Sequence, residues 1–200
     1  MRTTTRESAD FRRQSLIDAT AASLAELGVA GTSVRSICAR AGVSPGLLTH
    51  YFDGIDDLVA ATYRDVTDRV SATLRAAEEA AGAEPRARLI AFITASFRPP
   101  IADPALLATW LAFWSLVKTA PAIASIHGET YRGYREELEL LLGGCGLTPA
   151  EAGPVAIALS ALVDGLWLEL SLDPSTFTPA QASAMAVRWV DSLLERPGFD

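Results

Sequence analysis

The 200-residue chain is poor in the residue types that build metal, redox and catalytic centres, with two cysteines and two histidines in all. Cys38 and Cys145 lack the paired spacing of a metal-ligand or redox motif, and two isolated thiols make no disulfide framework. His50 and His127 are far apart in sequence, and no phosphate-cradling glycine loop is present. The stretch Gly42-Val43-Ser44-Pro45-Gly46 matches a bare nucleophile motif, but a helical pattern precedes it where a nucleophile elbow needs a strand. No catalytic residue, metal or cofactor is therefore expected. The start is polar and charged, with no signal peptide and no long uncharged apolar run, which points to a soluble, cytoplasmic protein without a membrane partner.

Alternating β-branched patterns and regular hairpin turns are also missing. Half of the residues are hydrophobic, dominated by alanine and leucine, so an all-α fold is expected. Punctuation by glycine, proline and capping residues predicts nine helices. The first runs from about Ser8 to Leu27 on a stripe of Leu16, Ile17, Ala21, Leu24 and Leu27, and ends at Gly28. After two short helices, a connector is expected over about 56–81. Beyond about residue 84, Leu89, Ile90, Phe92, Ile93 and Phe97 predict a helix stopped by Pro99-Pro100, and further helices follow over about 104–118 and 121–142. Thr148-Pro149-Ala150-Glu151 and Thr178-Pro179-Ala180-Gln181 have capping-box form and open the last two helices, to about Leu172 and Leu194.

The net charge of -7 is unevenly spread. Residues 1–52 carry arginines 2, 6, 12, 13, 35 and 40 against acids 7, 10, 18 and 26, a small positive excess, and the remainder is strongly acidic. An acidic body repels nucleic acid and suits a cationic small molecule, although acidity also serves solubility alone.

Residues 32–52, TSVRSICARAGVSPGLLTHYF, carry the densest pattern. Val34, Ile37, Cys38 and Ala41 define one buried face of a short helix. Gly42 permits the left-handed exit, Val43 can drop into the core, Ser44 is placed to cap the next helix, and Pro45 fits its first turn. Leu48 and Phe52 then face inward, which leaves Pro45, Gly46, Thr49, His50 and Tyr51 for an outer partner. Two helices about a glycine turn form either a helix-turn-helix, whose second helix enters the DNA major groove, or an ordinary helical hairpin.

The threonine/serine start, ARAGVSPGLLTHYF, the acidic pair after it and Leu58 resemble the amino-terminal domain of the TetR family. WLAFW and DGLWLELSL further on resemble its choline-responsive BetI branch. The resemblance implies a repressor with a DNA-binding domain over 1–54 and an effector-binding and dimerisation domain over 55–200. It places DNA contacts at Thr32, Ser33, Arg35, Ser44, Pro45, Gly46, Thr49, His50 and Tyr51. The partners it implies are double-stranded operator DNA, a small-molecule effector, and a second copy docked through the last two helices. For that pairing, Ala156, Leu159, Val163, Leu166 and Leu170 would meet Met185, Val187, Trp189, Val190 and Leu193; an intramolecular core is the other use of these residues. One departure stands out: Ile55 lies where the family carries a lysine, and Asp53 adds a negative charge nearby. That substitution removes a cation from the phosphate backbone and keeps open the alternative of a helical ligand-binding or adapter protein without specific DNA binding.

Trp110, Phe113 and Trp114 share one helix face by their spacing, and Tyr131, Tyr134 and Trp167 can add rings to a cage that attracts a quaternary ammonium ion. Asp164 supplies a carboxylate. The same rings can equally fill a core, and the resemblance is what favours a choline-like effector. Arg2 and Arg6 are within reach of a DNA backbone if the terminus is ordered.

Overall fold

In a computed structural model, residues 3–195 are described, with side chains from Ala9 onwards; Arg2 and the Arg6 side chain lie outside the described residues. Among the described residues there are nine α-helices and no strand: α1 (Thr3–Gly31), α2 (Val34–Ala41), α3 (Pro45–Tyr51), α4 (Ile55–Ala80), α5 (Pro85–Ala95), α6 (Pro104–Leu116), α7 (Pro121–Gly144), α8 (Pro149–Leu172) and α9 (Pro179–Leu194). The helix count and the last two spans follow the sequence pattern. α5 ends at Ala95, short of Pro99-Pro100, and its C-cap is Ser96.

The helices form two compact units. The first extends to Thr67 and adds Ala105–His127; the second comprises Asp68–Pro104 and the residues from Gly128 onwards. Compactness thus divides the chain differently from the functional boundary expected at 54/55, because α6 and the start of α7 join the first unit. α4 is one unbroken helix with its first half in the first unit and its second half in the other.

The first unit is organised around a cluster of Leu16, Ile17, Ala19, Ile37, Cys38, Leu48, Phe52 and Leu58. α1 supplies the floor, and α2 packs on α1 and α3. α2 starts in a box in which Ser36 N–H bonds Ser33 Oγ at 3.1 Å and Ser33 N–H bonds Ser36 Oγ at 2.8 Å. It ends at Gly42 in the left-handed conformation (φ 66°), and Val43 N–H closes onto Cys38 O at 3.0 Å. Only a residue without Cβ takes that backbone without strain. Gly28 (φ 61°) likewise breaks the regular helix near the end of α1, where Leu27, expected inside, is instead 48% exposed.

Ser44 occupies the N-cap of α3 with extended backbone, but its side chain makes no capping bond there. α3 is therefore held by Pro45, by Leu47 N–H bonding Ser44 O at 3.0 Å, and by burial of Leu48 and Phe52. In the second unit, α9 packs on α5 and α8. Gln181 N–H bonds Thr178 Oγ1 and Thr178 N–H bonds Gln181 Oε1, while Glu151 accepts from the Thr148 amide and hydroxyl.

α8 is long and apolar enough to cross a membrane, yet 39% of that stretch is already buried in the fold. Ala156, Leu159, Val163 and Leu170 of α8 and Val190 of α9, expected to meet a second copy, are buried within the single chain. The apolar groups left open are others: Ile157 and Leu172 are exposed, and a groove of about 540 Å³ is lined by Pro154, Val155, Ala158, Trp189 and Leu193.

Leu48→Ala should destabilise the first unit by about 2–5 kcal/mol, as for other large-to-small core changes. Urea denaturation checks this, and a cost no larger than that of a surface substitution would mean α3 is not anchored by that residue.

Candidate nucleic-acid interface and effector-site residues

With Leu48 and Phe52 turned inward, α3 presents Ser44, Pro45, Gly46, Thr49 and His50 to solvent, and Tyr51 is half-buried against the cluster. His50 and Tyr51 meet edge to face, with ring centroids 5.0 Å apart and planes at 75°. Gly46 keeps the surface low near the helix start, so another backbone can approach closely.

Both threonine hydroxyls are already engaged. Thr32 Oγ1 donates to Gly28 O at 2.7 Å, and Thr49 Oγ1 donates to Gly46 O at 3.1 Å. A phosphate oxygen can only accept, so each hydroxyl must turn from its carbonyl to donate to one, whereas it can accept from a base amino group while keeping that bond. Ser33 is held in the α2 capping box.

The arginines divide similarly. Arg35 is exposed on α2, whereas Arg40 pairs with Glu26 and Arg13 lies over the Phe52 ring, 5.1 Å from its centroid. Ile55 is half-buried and packs against the cluster. Asp53 N–H bonds Asp57 Oδ2 at 3.0 Å, and Asp56 and Asp57 occupy the first turn of α4, where the helix dipole favours negative charge.

The aromatic candidates fall into two groups. In the first unit, Phe113 is fully buried and stacks on Tyr63, with centroids 4.2 Å apart; Trp110 meets Tyr63 edge-on at 5.9 Å. Trp114 is half-buried, and its buried Nε1 has no hydrogen-bond partner among the described residues. In the second unit, Tyr131 donates to Asp164 Oδ1 at 3.0 Å, Tyr134 stacks on Phe92 with centroids 5.4 Å apart, and Trp167 Nε1 donates to Ser96 O at 2.9 Å. Tyr63 and Phe92 are therefore partners that the sequence pattern did not flag. Tyr63 sits in the apolar stripe of the connector and Phe92 in that of α5, which marks both as core and nothing more.

Burial pushes the Asp164 carboxyl up from 3.8 to about 6, against the opposing pull of the Tyr131 hydrogen bond and the charge of Arg135. Burial, with the Asp164 charge adding to it, also pushes the Tyr134 phenol well above its ordinary value. The Cys38 and Cys145 thiols are raised mainly by burial, which disfavours thiolate chemistry. No cluster that could hold a metal ion occurs among the described residues.

Residues 16–62 match the model of bacterial regulatory proteins of the tetR family, and residues 85–195 match that of the BetI-type transcriptional repressor, C-terminal. The chain belongs to the TetR family, within its BetI type. The HTH-type transcriptional regulator BetI of Burkholderia thailandensis is 37% identical over 92% of this chain and 94% of its own length. A transcriptional regulator of known structure from Pseudomonas aeruginosa PAO1 is 46% identical, with a TM-score of 0.84 over 92% of this chain and 91% of the other. A regulator from Saccharomonospora viridis, solved in complex with choline, shares the fold (TM-score 0.79, 17% identity, 90% of this chain and 95% of the other).

The chain is thus a transcriptional regulator and not an enzyme. TetR-family regulators bind operator DNA and small-molecule effectors, form dimers and are typically cytoplasmic. α2 and α3 are the helix-turn-helix of this TetR chain, with α3 in the position of the recognition helix.

The raised carboxyl has a consequence for stability. Between pH 3.8 and about 6 the folded chain holds a proton on Asp164 that the unfolded chain has released, so this group makes stability fall as pH rises through that window. Asp164→Asn keeps an acceptor for Tyr131 and should remove that dependence. In urea unfolding the variant should gain on the wild type at pH 7.5 relative to pH 4; an equal difference at both would show that the carboxyl is not destabilised by burial.

Proposed function

We propose that this regulator is a dimeric cytoplasmic repressor released from its operator by a quaternary ammonium compound of the choline type. The observation that carries the effector reading is Asp164, a carboxylate raised by burial that keeps only part of its hydrogen-bonding capacity occupied by Tyr131. An organic cation beside it would restore the charged form, and tyrosine and tryptophan faces suit the methylated ammonium, each contact contributing roughly 0.5 to 2 kcal/mol. Tyr131, Tyr134 and Trp167 are the ring-bearing candidates in the same unit, and Trp110, Phe113 and Trp114 are those of the first unit. Within the first unit taken by itself, Trp114 Nε1, buried with no hydrogen-bond partner among the described residues, would suit a ligand oxygen, since a buried donor left unsatisfied costs about 1 to 3 kcal/mol. The BetI-type match over 85–195 and the choline held by a chain of the same fold support this class of ligand.

DNA contact is assigned to the α3 surface, Ser44, Pro45, Gly46, Thr49, His50 and Tyr51, with Thr32, Ser33 and Arg35 at the start of α2. Two heads are needed for a two-fold operator, and α8 with α9 is proposed as the pairing surface. The part of α8 that serves is the open face with Ile157, Ala158 and the adjoining groove. A ligand shifts the equilibrium only by binding the two arrangements unequally, and α4, continuous from the head into the second unit, is the element whose tilt would carry the difference.

Titration of choline against intrinsic tryptophan fluorescence tests the effector. Saturable binding is expected, tighter at pH 7.5 than at pH 5 because Asp164 ionises at about 6, and weaker in Asp164→Asn. Binding that does not change with pH, or survives Asp164→Asn intact, rules out that carboxylate as the anchor. For pairing, Ile157→Arg should shift the protein towards monomer in sedimentation equilibrium without lowering its helix content by circular dichroism; an undisturbed dimer would move the interface elsewhere.

A further inference from the structure

We infer that Tyr63 is a positioning residue for DNA binding, and that its hydrogen bond to His127 sets α4 in the arrangement in which the head holds its operator. The inference rests on the DNA-binding reading above, and only its last step invokes the effector.

Tyr63 is completely buried in the first half of α4, five residues beyond Leu58, which belongs to the head cluster. At about 1.5 Å rise per residue, that separation along one rigid helix is roughly 7–8 Å, so a shift at Tyr63 arrives at the head undiminished. Its ring lies flat on Phe113 (centroids 4.2 Å apart, planes at 18°) and edge-on to Trp110 (5.9 Å, 88°), both on α6. Its hydroxyl is 3.2 Å from His127 Nδ1 on α7.

Most of what holds the first half of α4 is apolar, namely Leu58, Val59, Ala60 and Val66, and the buried Thr62 hydroxyl is spent on Leu58 O of its own helix. Apolar contact is non-directional and tolerates small slides. Side-chain hydrogen bonds do not: a lengthening of about 1 Å takes a 3.2 Å pair outside bonding range. Among the described residues, such bonds run from this half of α4 to α1 and to α7. Gln14 Nε2 donates to Asp65 Oδ1 at 3.2 Å and ties α4 to α1, which moves with the head; Tyr63 and His127 tie it to α7. The first makes α4 part of the head, and the second fixes where that assembly stops. Trp110 and Phe113 are both proposed effector residues and the rings against Tyr63, so an effector that displaces them acts on this same bond.

The test is a double-mutant cycle on operator affinity. A duplex is selected from random DNA with the wild-type protein, and its Kd is measured for Tyr63→Phe, His127→Leu and the pair, all without ligand. Tyr63→Phe keeps the stacked ring and loses the hydroxyl. Each single change should weaken binding at least five-fold, the double no more than either single, and the choline-dependent change in Kd should shrink in all three. Thermal melting alongside guards against simple unfolding, which would lower the active fraction without altering the Kd of the remainder. Singles that change Kd less than two-fold, or a double whose loss is the product of the two, overturn the inference. Failure to select any duplex removes the DNA-binding reading and this inference with it, whereas an intact cycle with no response to choline removes only the choline assignment.

Discussion

The seven residues of α3 do not make a stable helix in water on their own, since nucleation alone costs more than so few backbone bonds return. What makes α3 a recognition helix is the pair Leu48 and Phe52, sunk into a cluster supplied by α1, α2 and the start of α4. Every other property of the head follows from that anchorage. Gly42 brings α3 back onto α2, the exposed edge of α3 becomes a flat polar surface, and Leu58 joins α4 to the same cluster. The exposed edge of α3 and the start of α4 thus share one apolar floor.

The aromatic residues are divided between the two units. Phe113, Trp110 and Tyr63 form a stacked and edge-on set in the first unit, while Tyr134 on Phe92 and Trp167 on Ser96 O are tied into the second. Rings held by neighbours are preorganised, which limits the entropy lost when a ligand arrives. Asp164 differs from all of them. Burial raises its carboxyl to about 6 by disfavouring the charged form, and the proposed cation would act on that balance.

The head was legible in the sequence because its signals are local. Gly42, Pro45, Leu48 and Phe52 act within a dozen residues of one another, and their roles follow from backbone sterics and helical period. The capping boxes at Thr148 and Thr178 were legible for the same reason. Ser44 was misjudged because an N-cap position does not guarantee a capping bond. The buried side of α8 stayed open to two readings because periodicity shows that a face is apolar without showing whether its partner is in the same chain or another. Tyr63, Phe92 and the union of α6 with the first unit were out of reach, since each depends on residues brought together from distant parts of the chain.

Ile55 gives a helix start a hydrocarbon where the family pattern has a cation, and the head uses it as packing against the Leu58 cluster. In the proposed dimer, two heads on one operator would release two fewer condensed counterions on binding than a pair carrying that cation. With a slope of about -0.9 per neutralised phosphate in a plot of log K against log salt, the loss flattens the dependence by roughly 1.8. A repressor of the proposed kind would bind its operator less tightly in dilute buffer, and its occupancy would change less as the ionic strength of its surroundings rises and falls.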